Sequence, residues 1–328
     1  MNQKLFYDKY HKLKESNEGI KMCINTILKF EEYIKKDVEN STIQDINTYS
    51  KYLIDHNLNV YNNYIHLARY YYYIDYKDHY IHMTKYFNSQ GVLENIIDRI
   101  TLYSDAAKKE MIIKDLKLPE FGTGSEDLPK STEHFMHVLN KHLDKKSCDK
   151  ILAGNNHRIP PESFIKEKEY YNNSSSLKDY LIDRHKRKVQ ELQDHLDQNK
   201  VWFEQIITKE AIDFVKNNQE ILSGVLVNEK LYVTKIPYDI KNFLEVNDPI
   251  LKKYYACHCT FVRENIKNNT ADIPKEWCNC SGGFAKFPFE VILDQPLNVT
   301  LLNTPLDGDN YCRFEIDLTN VEYKKKPM

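Results

Sequence analysis

The sequence predicts an α+β protein, with an all-helical N-terminal bundle followed by a domain that joins helices to an antiparallel sheet. Three observations carry this reading. Apolar residues recur at helical spacing through Ile20, Cys23, Ile24, Ile27, Leu28 and Ile34. The stretch "LPEFGTGSEDLPK", residues 118–130, gathers Pro, Gly, Ser and acids and reads as a linker. Near the end "YCRFEIDL" alternates strictly, with Cys312, Phe314, Ile316 and Leu318 on one face and Tyr311, Arg313, Glu315 and Asp317 on the other. The expected division is a helical module over 1–117, a linker over 118–130 and an α+β domain over 131–328.

In the first helix Cys23 falls on the apolar stripe and reads as a small core residue. Ser41 followed by Gln44 predicts a capping box at the start of "STIQDINTYSKYLIDH". Further periodic segments lie at about 59–75, 78–88 and 91–103. Beyond the linker come "STEHFMHVLNKHL", "PPESFIKEKEYY", an amphipathic run from Leu177 to Asn199, and "TKEAIDFVKNNQEIL" with Thr208 as its N-cap. From Ser223 the period shortens to two. "GVLV", a two-residue "NE" turn and "KLYVTKI" form one predicted hairpin, and "LNVTLL", the turn "NTPLDGDN" and "YCRFEIDL" form a second.

A chain of 328 residues suits two or three compact units, each able to bury a core without covalent staples. Lys+Arg 46 against Asp+Glu 48 leaves a net charge of -2, so no overall cationic field points to nucleic acid, which charge alone does not exclude. The opening "MNQKLFYDKYHKLKE" lacks the apolar stretch of a secretory signal, and no segment has the apolar length of a membrane span. A soluble, cytoplasmic protein with no membrane contact is expected. Seven cysteines, five of them after position 250, then favour free thiols or metal ligands over a disulfide framework.

Four of those cysteines form the pairs Cys257/Cys259 and Cys278/Cys280 in "YYACHCTFVRENIKNNTADIPKEWCNCSGGF", residues 254–284. Three readings stay open. Cys257, Cys259, Cys278, Cys280 and Cys312 could hold a metal, with zinc the ion that suits thiolates. Cys278 or Cys280 could be a nucleophile, with His258, Arg263 and Lys286 as the groups that would lower its pKa. All five could be packing residues. An extended Cys257-His258-Cys259 would turn both thiols to one face and the imidazole to the other. Cys278 and Cys280 precede "SGGF", read as a tight turn into a helix whose free N–H groups would favour an anion. His258 is also a catalytic candidate, and His258, Arg263, Trp277 and Lys286 are the candidates for contact with a ligand. Cys148, His157 and Arg158 are further polar candidates, whereas His134, His137 and His142 recur at helical spacing with no companion carboxylate and read as surface residues.

Two resemblances follow from these segments. The order "KFEEYI", "STIQDINTYSKYL", "VYNNYIHLARYYYYI" resembles the helical, SAM-like core-binding domain of tyrosine recombinases. That resemblance implies DNA contact, although no recombinase catalytic domain is recognisable downstream. "RYYYYIDY" would then stack on bases, or else fill a core.

The order Cys-x-Cys-Ser-Gly-Gly-Phe, a helix, a strand, Gly308-Asp309, Cys312, Phe314 and Ile316 resembles the 4-vinyl-reductase type of domain, and more closely the L-2-amino-thiazoline-4-carboxylic acid hydrolase-like family. The resemblance implies an α+β small-molecule-binding domain closed by a hairpin. It also implies a zinc ion held by Cys278 or Cys280 and by Cys312. The family's glutamate and middle cysteine fall near Leu301 and Thr304, so Cys257 and Cys259 would have to complete the set. The implied function is small-molecule binding, and an enzymatic version would hydrolyse a cyclic C–N bond with a metal-bound water or a cysteine as nucleophile. The alternatives are a DNA-binding regulator with an effector-sensing C-terminal domain, and a structural adaptor that oligomerises through its tyrosine-rich helices.

Overall fold

The computed structural model describes residues 16–325. The stretch read for a signal segment, residues 1–15, lies outside the described residues. The chain forms two compact units. One runs up to Gln90 and takes in Leu118–Leu128, and the other combines Gly91–Lys117 with the chain from Pro129 onward.

The first unit is built on α1 (Asn17–Ile34), α2 (Ile43–Asp55), α3 (Tyr61–Tyr73) and α4 (Lys77–Asn88). Helix α2 opens on a capping box, but between Thr42 and Asp45, one residue later than Ser41 and Gln44. The Asp45 carboxylate accepts the Thr42 N–H at 2.6 Å, while the Ser41 hydroxyl is already committed to the Val38 carbonyl and the Tyr71 hydroxyl. The α1 stripe of Ile20, Cys23, Ile27 and Phe30 is fully buried. It packs with Tyr70 and Tyr71 of "RYYYYIDY", while Tyr72 stays exposed.

The segment expected as a linker is part of this core. Phe121 lies 4.8 Å from the Tyr64 ring, and the Gly122 carbonyl accepts from Ser50 at 2.7 Å. Gly122 has φ +90, and a β-carbon there would strike the Tyr64 hydroxyl, so glycine is required at this point.

The second unit begins with α5 (Val92–Asp98), a 3-10 turn at Arg99–Leu102 and α6 (Ala106–Asp115). These residues sit with the C-terminal unit because Asn95 and Arg99 bond to the carbonyls of Asn156 and Ile151. Then come α7 (Leu128–His142), α8 (Lys145–Leu152), α9 (Ile165–Asn172), α10 (Leu177–Asp197) and α11 (Lys209–Lys216), the last capped by Thr208 as its sequence predicts.

Strands β1 (Val225–Val227) and β2 (Lys230–Thr234) form the first hairpin. Its turn residues Asn228 and Glu229 both have positive φ, the geometry that matches the twist of paired strands. Helices α12 (Ile240–Glu245), α13 (Pro249–Ala256), α14 (Arg263–Asn268) and α15 (Asn279–Leu293) precede β3 (Asn298–Asn303) and β4 (Arg313–Asp317).

The sheet is antiparallel in the order β1-β2-β4-β3, with Val233 opposite Phe314 and Val299 opposite Ile316. Phe314, Ile316 and Leu318 are fully buried, and Leu177, Tyr180 and Leu181 of α10 and Phe289 and Ile292 of α15 cover them. The α+β class is therefore as expected. Among the described residues no helix is long and apolar enough to cross a membrane.

Candidate functional site

The cysteine segment folds back on itself between α13 and α15, against the start of β4. Cys257, His258 and Cys259 occupy an irregular connection rather than a strand. The His258 ring takes the Ile236 carbonyl as partner at 2.5 Å. Trp277 is buried beside Phe261 and Phe135, with ring centroids 5.3 and 6.0 Å away, and its indole N–H donates to the Cys259 sulfur at 3.3 Å. Trp277 is thus an anchor of this interior.

The "SGGF" segment corrects its expected form. Serine and both glycines lie inside α15, which begins at Asn279. Small residues are needed there for close packing, since a β-carbon on Gly283 would fall 2.2 Å from the Gly154 carbonyl oxygen and one on Gly282 would touch Val299. The approach of α15 to the 153–156 loop also brings the Asn156 amide to 3.7 Å from the Cys280 sulfur.

The Thr304 hydroxyl donates to the Cys278 sulfur at 3.0 Å and also reaches Cys312. A hydroxyl therefore stands between two thiols, close to where the family resemblance wants a third sulfur. Among the described residues no three His, Cys, Asp or Glu side chains are placed to hold a metal ion, and no role is assigned to a metal. Cys278 and Cys257 nevertheless feel each other and Cys312 electrostatically, as Cys280 and Cys312 feel Cys259.

Burial sets the protonation of this interior. It pushes the Cys280 thiol up to about 12 and the Cys312 thiol to about 11, and raises Cys257, Cys259 and Cys278 as well. Burial also holds the His258 imidazole well below its usual range, with the Lys235 ammonium adding to the effect. At neutral pH the thiols and the imidazole are uncharged.

The charge comes from two cations. Arg263 is 1% exposed, with its guanidinium carbon 4.1 Å from the Tyr238 ring centroid and 5.6 Å from that of Tyr254. None of its three side-chain nitrogens makes a well-aligned hydrogen bond; the nearest polar groups are the buried Tyr238 hydroxyl and, beyond it, the Glu204 carboxylate. Glu264 is spent on the Tyr254 hydroxyl at 2.8 Å and on Lys267. The second cation, Lys235, was not read from the sequence. It extends from the end of β2, where its N–H bonds to the Cys312 carbonyl, and its ammonium lies 4.8 Å over the Phe284 ring. It acts on His258, Cys259, Cys280 and Cys312 without an ion pair to any carboxylate among the described residues.

Of the other candidates, His157 lies beside the Phe284 ring that carries Lys235, and the rest fall elsewhere. Lys286 is held by Glu290 and the Leu297 carbonyl, beside a groove at β3. Cys148 is buried on α8 and Cys23 in the first unit's core. Arg158 pairs with Asp98 at 2.9 Å, and the His157 ring meets the edge of Phe284 at 5.5 Å. His134 and His137 are exposed, but His142 is not a simple surface residue, for it and Lys141 share the Asp115 carboxylate at 2.9 and 2.7 Å. That carboxylate comes from α6, beyond the reach of any local spacing rule. No family model, curated protein or solved structure matches this chain.

Proposed function

We propose that the second unit binds a small anionic molecule, and that a carboxylate of the ligand is received by Arg263. The carrying observation is the buried guanidinium, whose three nitrogens make no well-aligned hydrogen bond and have only the Tyr238 hydroxyl as a close polar neighbour. Leaving a buried charge without a hydrogen-bonded partner is costly, and a planar carboxylate is the group whose two oxygens match a guanidinium fork. Lys235 supplies a second positive charge near the same thiols, and neutral His258 and the thiols offer further weak donors. This agrees with the small-molecule binding implied by the hydrolase-like resemblance. Binding is favoured over nucleophilic catalysis because burial keeps every thiol of the segment protonated, and the thiol is the poor nucleophile of the pair.

The test is thermal denaturation with L-2-amino-thiazoline-4-carboxylate as the probe, in parallel on the wild type and on Arg263→Met. A ligand at about one hundred times its Kd stabilises by about 2.7 kcal/mol, a readily measured rise in melting temperature. The wild type should respond and Arg263→Met should not. An equal rise in both, or no rise with this probe or with simple carboxylates, removes the proposal. Mass spectrometry for a ring-opened product on the same samples separates binding from turnover.

A further inference from the structure

Apart from the cysteine interior, the second unit carries a groove of about 570 Å³ whose lining includes six successive residues, Pro296 to Leu301. Side chains on a strand alternate between the two faces of the sheet, so a run of neighbours can line one groove only through the edge of the strand. The sheet order makes β3 an edge, with β4 as its single neighbour. From Asn298 to Asn303 the side of β3 away from β4 has no hydrogen-bond partner among the described residues. The open stretch has defined ends. At one end Glu290 and Lys286 take the N–H and carbonyl of Leu297, and at the other a bulge interrupts the ladder between Leu301 and Asn303.

The opposite wall is cationic. Arg99, Lys145, Lys150, Lys275 and Lys286 line the groove against only Asp149 and Glu276. Lys145, Lys275 and Lys286 have ion-pair partners in Glu276, Asp307 and Glu290, whereas among the described residues Arg99 and Lys150 pair with no carboxylate and flank the Tyr103 ring at 5.9 and 5.8 Å. The chain as a whole has a net charge of -2, so this surplus is local.

We infer that this groove receives an extended acidic peptide, which adds to β3 as a fifth strand and sets its carboxylates against the cationic wall. An unpaired edge supplies main-chain hydrogen bonds of the kind used in strand addition, and the wall supplies selectivity for charge.

The test is fluorescence anisotropy with a labelled, end-blocked peptide of alternating glutamate and valine, about eight residues long. Its comparison probes are the lysine–valine analogue and two isomers N-methylated at either all glutamate or all valine amides. The acidic peptide should bind and the basic one should not. One methylated isomer should lose binding and the other keep it, because only alternate amides face the edge. Lys150→Glu combined with Lys275→Glu, both exposed, should weaken binding about tenfold with at most a small change in melting temperature, since Lys275 gives up only its exposed pair with Asp307.

Equal binding of the basic peptide, or of both methylated isomers, overturns the inference. So does displacement by inorganic phosphate alone, which would make the groove a small-anion site. Concentration-dependent dimerisation abolished by the same two substitutions would assign the edge to a second copy of the chain and overturn it too.

Discussion

Tyr64 and Tyr238 are both buried phenols, and the two units treat them differently. In the first unit Tyr64 bonds to the Ser50 hydroxyl at 2.9 Å, Tyr71 to Ser41 at 2.7 Å, and Tyr70 to Glu39. In the second, the Tyr238 hydroxyl makes no well-aligned hydrogen bond and its ring lies against a guanidinium that makes none either. Every buried, unpartnered side-chain N or O atom among the described residues belongs to the second unit. A core that closes its own polar groups is complete as a structure, while one that leaves a cation unsatisfied has valences to offer a ligand. The comparison is the physical ground for the proposed binding site in the second unit, and it can be broken at several points.

The largest expected effect tests whether that interior is well packed as well as polar. Trp277→Ala should cost about 3–5 kcal/mol in urea denaturation followed by circular dichroism, since it removes a buried ring packed on Phe261 and Phe135. A cost below about 1 kcal/mol would mean that the second unit is loose throughout and that its unpartnered atoms carry no message. Next in size is Arg263→Met, which should stabilise the free protein by about 1–3 kcal/mol, because an apolar side chain of similar volume replaces a buried charge that has tyrosine rings beside it but no ion pair among the described residues. A loss of stability instead would show that the guanidinium is paired in solution.

The matching change in the first unit is smaller and of opposite sign. Tyr64→Phe should cost about 1 kcal/mol, the worth of one buried hydrogen bond, as Ser50 keeps the Gly122 carbonyl as acceptor. If Tyr64→Phe were neutral or stabilising, the first unit's core would be no more closed than the second's.

Local rules reached the helices with stripes and caps and the hairpins. The two-residue turn at Asn228-Glu229 and the alternation from Cys312 to Leu318 are decided within a few residues, and there sequence and structure agree. What local rules could not reach was set by distant partners. Phe121 and Gly122 look like a linker until Tyr64 and Ser50 are brought against them. Gly282 and Gly283 look like a turn until the 153–154 backbone packs within a β-carbon's reach of the helix. The five clustered cysteines mark a segment that folds into the interior, but Lys235 and Asn156 reach it from other parts of the chain, and no spacing pattern marks either. A single lysine at the end of a strand pattern gives no signal until the fold sets its ammonium over the Phe284 ring, near enough to act on the thiols.

The smallest effect vanishes at neutral pH and compares the two units directly. A thiol whose folded pKa is raised above its usual 9.0 binds its proton more tightly in the folded state. The stability it contributes is complete below pH 9 and is lost as pH rises toward the folded value, about 12 for Cys280 and about 11 for Cys312. Buried tyrosines follow the same sign but start from 10.0, as Tyr49 does in rising to about 12 through burial. Six of the seven cysteines belong to the second unit, and so do both tryptophans, Trp202 and Trp277. Tryptophan fluorescence therefore follows the second unit alone. Its urea midpoint should begin to fall between pH 9 and 10, whereas the part of the circular-dichroism transition not seen by fluorescence should hold until about pH 10. Cys280→Ala with Cys312→Ala should flatten the fluorescence slope in that interval. A flat wild-type slope, or an equally steep one in the variant, would mean that the thiols of the cysteine segment are not held protonated by burial, and the case for binding over nucleophilic chemistry would fall with it.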